Sequence, residues 1–226
     1  MPSPDLTIYT YEWLPDFPRG FVRDMRARWA AEEVGRPYRI ATVPVQPKTD
    51  AHRAMQPFGQ VPVIVDGDLT LFETGAIVLY LAEGSALLPE AKRAEVTQWV
   101  IAALNSVEPP VSNWMLRQLS KTLPQIFGPP ASPELETHML NLMNARLTAL
   151  EARLAGRDWI LGDFSAADIL LVDVLRPALN EGALKDFPGL TAYVERATAR
   201  PAFKKAMADH MQHWADADAA KAAQPV

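Results

Sequence analysis

Apolar and polar positions change their spacing twice along this chain. Leu6-Thr7-Ile8-Tyr9-Thr10 is a short apolar, β-branched and aromatic run of the kind that forms a strand. Residues 11–20, Tyr11-Glu12-Trp13-Leu14-Pro15-Asp16-Phe17-Pro18-Arg19-Gly20, have no period and predict an irregular loop. From Phe21 to Val34 the pattern becomes helical, and Gly35 suits the position just past the helix end. Tyr38 to Val45 predicts a second strand and residues 49–55 a short helix. Val61–Val65 and Leu69–Phe72 predict a hairpin about Asp66-Gly67, with a helix over Glu73–Glu83 behind it. The order β-α-β-α-β-β-α describes a compact α+β unit of roughly 80 residues.

Beyond a linker at Gly84–Pro89 the pattern is helical throughout, with no strand signal and no internal repeat. Ala91 to Leu119 reads as one long amphipathic helix that Val107-Glu108-Pro109-Pro110-Val111 should kink or interrupt. The four prolines between 124 and 133 predict a loop, and Ser132-Pro133-Glu134 a helix start with proline at the first helical position. That helix runs to about Leu154, with Gly156 beyond it. Ser165-Ala166-Ala167-Asp168 is a capping box, and Phe164 and Ile169 occupy the two positions of a hydrophobic staple. We read it as a folding element, worth a cap-sized loss of roughly 0.5–2 kcal/mol on replacing Ser165 or Asp168 by Ala. The fold class is therefore α+β, with a first domain over residues 1–84 and an all-helical one over 85–226.

Composition narrows the function. The chain has 226 residues, of which 49% are hydrophobic and 22% charged, so it can bury a real core. Its net charge of −5 argues against nucleic-acid binding, which needs a basic face. No apolar stretch is long enough to span a membrane. Met1-Pro2-Ser3-Pro4-Asp5 lacks the basic and apolar regions of a signal peptide. Cysteine is absent, so the chain holds no disulfide, thiolate metal site or cysteine nucleophile, and any sulfur chemistry must use a ligand's thiol. The four histidines show no zinc-type pairing, and His210 and His213 read as a solvated helix end; no metal is expected.

Chemistry concentrates between Gln60 and Gly75. A proline at the first position of a strand, Pro62, cannot donate to the ladder, and a cis Val61–Pro62 bond would leave the Val61 backbone free to face a ligand. The helix opening at Glu73-Thr74-Gly75 offers unpaired N–H groups and a positive dipole end to a carboxylate. Together they suit an extended peptide-like ligand with an ammonium and a carboxylate. Glu73 could equally be an acid favourable to the dipole, and Thr74 simply a cap.

Four stretches carry a family resemblance: Gln56-Pro57-Phe58-Gly59-Gln60-Val61-Pro62, Leu71-Phe72-Glu73-Thr74-Gly75-Ala76-Ile77, Phe164-Ser165-Ala166-Ala167-Asp168 and Ala199-Arg200-Pro201-Ala202-Phe203. In this order they resemble the cytosolic glutathione transferases along nearly the whole chain. The resemblance implies a thioredoxin-like first domain, an all-α second domain, a cytoplasmic homodimer, and glutathione as co-substrate for a small electrophile. It implies that the Val61 backbone before cis-Pro62 pairs with the cysteinyl part of glutathione. Glu73 and Thr74 would hold the γ-glutamyl end, Gln60 would lie near the glycine end, and Lys48 or Arg53 would neutralise the glycine carboxylate.

The family's catalytic group is a Tyr, Ser or Cys in the loop after the first strand, hydrogen-bonded to the ligand's sulfur. Lowering a thiol pKa from near 8.5 by two units takes roughly 2.7 kcal/mol of preferential thiolate stabilisation. Counting back from the first helix's end puts the Ser or Cys slots on Arg23 and Asp24; counting forward from the first strand puts the Tyr slot near Thr10 and Tyr11. The loop is several residues longer than the family's usual one. Thr10, Tyr11, Arg19 and Arg23 are the catalytic candidates, an arginine acting as a fixed positive charge. Trp13, Phe17 and Trp114 are candidates to line an electrophile pocket, or else are core or interface aromatics. The alternatives to conjugation are a glutathione-dependent disulfide reductase or peroxidase, and a non-catalytic glutathione-binding or interaction module.

Overall fold

The computed structural model describes residues 5–223, so all but the last residue of the Met1–Asp5 stretch lies outside it. The chain divides into two compact units, one of residues 1–87 with 199–226 and one of residues 88–198.

The first unit is built on β1 (Leu6–Tyr11), α1 (Asp24–Glu33), β2 (Arg39–Val43), α2 (Asp50–Met55), β3 (Val63–Asp66), β4 (Leu69–Phe72) and α3 (Thr74–Ala82). The order matches that expected from the pattern. The sheet runs β2-β1-β3-β4, with β1 parallel to β2 and antiparallel to β3, and β3 antiparallel to β4. Leu6 and Ile8 on one face of β1 are buried with Met25 and Trp29 of α1, Ile64 of β3, and Ile77 and Val78 of α3. Gly67, at φ +57°, takes the left-handed turn position between β3 and β4 that L side chains resist. Thr49 caps α2 by accepting from the His52 amide at 3.1 Å. The ladder starts at Val63, two residues after the sequence reading placed it, because Pro62 has no N–H to offer.

The second unit is all helical: α4 (Arg93–Ala102), α5 (Glu108–Thr122), α6 (Pro124–Phe127), α7 (Pro133–Leu154), α8 (Ala166–Asn180) and α9 (Pro188–Thr198). The break expected at Val107–Pro110 takes the form of a wide turn, Ala103–Val107, between α4 and α5. Pro109 and Pro110 withhold the amides that the carbonyls of Asn105 and Ser106 would accept, and the backbone upstream widens. The proline-rich stretch expected as loop holds the single turn of α6. Asp168 at the start of α8 is a buried hub. It accepts from the Ser165 amide (2.9 Å) and hydroxyl (2.9 Å), the Ile160 amide (3.0 Å) and the Tyr193 hydroxyl (2.7 Å). Burial nonetheless pushes its carboxyl above the ordinary value, against the pull of these donors.

The last helix, α10 (Pro201–Ala222), packs on α1 and belongs to the first unit. Arg200 grips Glu33 with two hydrogen bonds (2.6 and 2.7 Å), Lys205 pairs with Glu32 (3.1 Å), and the Trp29 and Phe203 rings meet edge to face. Among the described residues no helix is long and apolar enough to cross a membrane.

Candidate functional site

Sheet register collects the candidate ligand residues. Tyr9 and Phe72 both pair with Val63, on opposite sides of β3. One or two residues further along each strand, at the same end of the sheet, lie Tyr11 at the end of β1, Val61 before β3, and Glu73-Thr74 after β4. The Val61–Pro62 bond is cis, as is Gln46–Pro47. The Val61 side chain is buried with Val22, Val43 and Trp214, and Tyr9, Tyr11, Leu14 and Met55 pack around it. Among the described residues neither its N–H nor its C=O has a hydrogen-bond partner. An unpaired peptide group of this kind is able to pair with an extended backbone laid beside it.

Gln60 is anchored from behind. Its carbonyl accepts from Nε2 of buried His52 at 2.9 Å and its amide donates to Gln56 Oε1 at 3.2 Å, while its side chain is exposed. Arg53 is exposed on α2. Lys48 is half-buried: its ammonium stands 4.5 Å from the Tyr11 ring centroid and 3.3 Å from the Tyr11 hydroxyl. A lysine donates only, so the Tyr11 oxygen accepts here and the phenolic proton remains for another acceptor.

Glu73 is the one non-glycine residue with positive φ among the described residues, at +71°. A left-handed backbone outside glycine costs on the order of 1–3 kcal/mol and recurs at ligand clamps. It is exposed, at the start of α3, and its side chain does not cap the helix. Glu73 itself holds the N-cap position and Thr74 is the first residue of α3, so the alternative that made Thr74 simply a cap is not what the geometry shows. Thr74 is 7% exposed and its hydroxyl accepts from Arg26 Nη1 at 3.0 Å. Arg26, on α1 and 2% exposed, is a residue the sequence reading missed, since a charged residue on a helix gives no local sign of burial.

The loop of residues 11–20 is clamped to α10. Arg19 donates from Nε and Nη2 to the Leu14 carbonyl (3.0 and 2.6 Å), from Nη2 and Nη1 to the Asp218 carboxylate (2.7 and 2.5 Å), and pairs through Nη1 with Asp16 (3.1 Å). Four of the five guanidinium N–H groups are thus hydrogen-bonded and the charge is paired with two carboxylates, so the group is committed to the clamp. The Asp218 hydrogen bond raises Arg19 and, reciprocally, Arg19 holds Asp218 down at about 2. Trp13 donates to Asp218 at 2.8 Å and carries the Lys221 ammonium 3.4 Å from its ring centroid. Phe17 is half exposed. Arg23 is exposed at the start of α1. Thr10 is fully buried, and its hydroxyl has no partner. Trp114, 8% exposed, belongs to the second unit.

Neither C-terminal histidine is the solvated helix-end residue expected. His210 is fully buried: Trp214 Nε1 donates to its Nε2 at 3.1 Å, and its Nδ1 lies 3.3 Å from Asp24 Oδ2. An indole N–H only donates, so His210 Nε2 is an acceptor. Burial raises the Asp24 carboxyl, but His210 and Arg28 outweigh it and the group sits below its ordinary value. His213 Nε2 donates to the Tyr11 carbonyl at 2.9 Å. Helix periodicity records which face is polar and not what meets it. Among the described residues no three His, Asp or Glu side chains converge as a metal site.

Comparison with known proteins identifies the family. The family model described as glutathione S-transferase, N-terminal domain, matches residues 18–83, and that described as glutathione S-transferase, C-terminal domain, matches residues 120–201. Glutathione S-transferase 3 of Zea mays is 35% identical over 184 residues, covering 74% of this chain and 81% of the relative. Glutathione S-transferase F9 of Arabidopsis thaliana is 30% identical over 186 residues, covering 75% of this chain and 85% of the relative. A glutathione transferase structure from Burkholderia graminis, with two glutathione molecules bound per subunit, superposes with a TM-score of 0.73 at 28% identity, covering 89% of this chain and 87% of its own.

Proposed function

This chain belongs to the glutathione S-transferase family, and from that membership we propose that it is a glutathione transferase, joining the thiol of reduced glutathione to small electrophiles, with the glutathione site at the sheet end formed by Tyr11, Val61 and Glu73-Thr74. The observation that carries the site is the unpaired Val61 peptide group, register-aligned with the start of α3. Val61 would pair through N–H and C=O with the cysteinyl unit. The Thr74 hydroxyl and the amides opening α3 would receive the γ-glutamyl carboxylate, and Glu73 the ammonium. Gln60, with Lys48 or Arg53, would face the glycine end. Of the catalytic candidates, Tyr11 is favoured. It is half-buried beside Val61, and Lys48 leaves its phenolic proton free to donate to a thiolate. Glutathione supplies the nucleophilic sulfur that this cysteine-free chain lacks. Arg19 is consumed as a clamp and Thr10 is sealed from solvent, so neither suits the role. We propose residues 1–84 as the glutathione-binding domain and residues 85–226 as the helical one, with the last helix, α10, packed back on α1 within the first compact unit.

The test is conjugation of glutathione to an aromatic halide, followed by absorbance. The wild-type chain should turn over, and Tyr11→Phe should lose on the order of 10²-fold in kcat/KM, as when one donor to developing charge is removed. Turnover in Tyr11→Phe equal to wild type would assign thiol activation elsewhere. The relative binding two glutathione molecules supports a second reading, glutathione-dependent reduction of a disulfide or peroxide. Glutathione disulfide formed faster than conjugate would select it, and binding without turnover would select the non-catalytic module. The homodimeric state and cytoplasmic location rest on family membership; sedimentation at micromolar concentration tests the dimer.

A further inference from the structure

A buried cation stands behind the hydroxyl that opens α3. Arg26 Nη1 donates to Thr74 Oγ1 at 3.0 Å, and arginine carries donors only. The threonine oxygen must therefore accept, and its single proton is left over. At Thr97, Thr137 and Thr198 the hydroxyl donates to the carbonyl four residues back. Thr74 has no such outlet: the residue four back, Thr70, lies in β4, and among the described residues the Thr74 hydroxyl donates to nothing.

We infer that Arg26 is a positioning residue that sets the Thr74 hydroxyl as an outward donor, making the start of α3 selective for a carboxylate over an ammonium or neutral group. This rests on the glutathione reading above and specifies how one end of that ligand is told from the other. A hydroxyl with no fixed partner can rotate to accept from an ammonium as readily as it donates to a carboxylate. Arg26 occupies the accepting lone pair from inside, and its charge lies one hydrogen bond behind the donor. Both effects favour an anion. Arg26 makes other contacts within the fold, so its removal has structural consequences that the test must separate.

The experiment is calorimetric binding of reduced glutathione and of its analogue lacking the γ-glutamyl α-carboxylate, 4-aminobutyryl-cysteinyl-glycine. Full-length wild type, Arg26→Lys, Arg26→Met, Thr74→Ser and Thr74→Val are compared. Wild type should prefer glutathione by about ten- to a hundredfold, the span of one hydrogen bond to a charged group. Thr74→Ser should keep that preference and Arg26→Lys part of it. Arg26→Met and Thr74→Val should reduce it to about threefold or less, with the loss in the glutathione arm. In turnover the same loss should fall on KM for glutathione rather than on kcat. A merely structural Arg26 would weaken both ligands equally and leave the preference intact, which overturns the inference. Should Arg26→Met not fold, undiminished preference in Thr74→Val overturns it equally. Wild type that binds neither ligand overturns the glutathione reading beneath it, an outcome distinct from either.

Discussion

Replacing Asp168 by alanine removes the acceptor that holds the start of α8 to two other parts of the second unit. Four donors converge on this carboxylate: the Ile160 amide, the Ser165 amide and hydroxyl, and the Tyr193 hydroxyl. Ile160, Ser165 and Tyr193 are 0%, 3% and 1% exposed, so water cannot take the acceptor's place without the unit opening. Each buried donor left unpaired costs about 1–3 kcal/mol. The full sum is not reached. The Ser165 hydroxyl can rotate, and the burial that pushes the carboxyl above its ordinary value is a cost relieved when the group is deleted. We expect Asp168→Ala to lose about 3–5 kcal/mol, well beyond a cap alone. Ser165→Ala and Tyr193→Phe, which each leave Asp168 three donors, should lose about 1 kcal/mol. Urea unfolding measures this, read by far-ultraviolet circular dichroism and by tryptophan fluorescence. Trp159, with ring centroids 4.8 Å from Phe164 and 6.0 Å from Tyr193, reports on this region. The two probes should be compared, since two compact units need not unfold together. An Asp168→Ala chain within about 1 kcal/mol of Ser165→Ala would refute the hub.

Two further outcomes are expected. Glu73→Gly relieves a left-handed backbone, so it should unfold at higher urea, gaining about 1 kcal/mol, while KM for glutathione rises; unchanged KM would separate the strain from the ligand. Asp218 sits at about 2, below the ordinary carboxyl value, so the Arg19–Asp218 clamp is present above about pH 4 and is lost as pH falls through about 2. Trp13 fluorescence should change over that window in wild type and stay flat in Asp218→Asn, and a change of equal size in both would dissociate Trp13 from the clamp.

The features legible in the chain are those whose cause is short in range. Alternation and turn residues predict the β3–β4 hairpin; Ser165 and Asp168, three apart, announce a helix start; Pro109-Pro110 interrupts α4–α5 through two missing amides. The proline before β3 and the helix opening at Glu73-Thr74 are legible as well, because both are local chemistry. The positive φ of Glu73 had no such signal, since nothing in its residue type asks for it.

What remained for the tertiary structure is where long, charged side chains end. Arg19, Arg23 and Arg26 look alike in sequence. Folding commits the first to Leu14, Asp16 and an aspartate 199 residues away, leaves the second exposed, and buries the third against Thr74. Nor does the periodicity of α10 tell that Arg200, Lys205 and His210 close on α1 within the first unit. A sequence pattern specifies which face of an element avoids water. The partner that face meets is selected by packing over the whole fold, which is why Arg19 ends in a clamp on Asp218 while the Tyr11 hydroxyl meets Lys48.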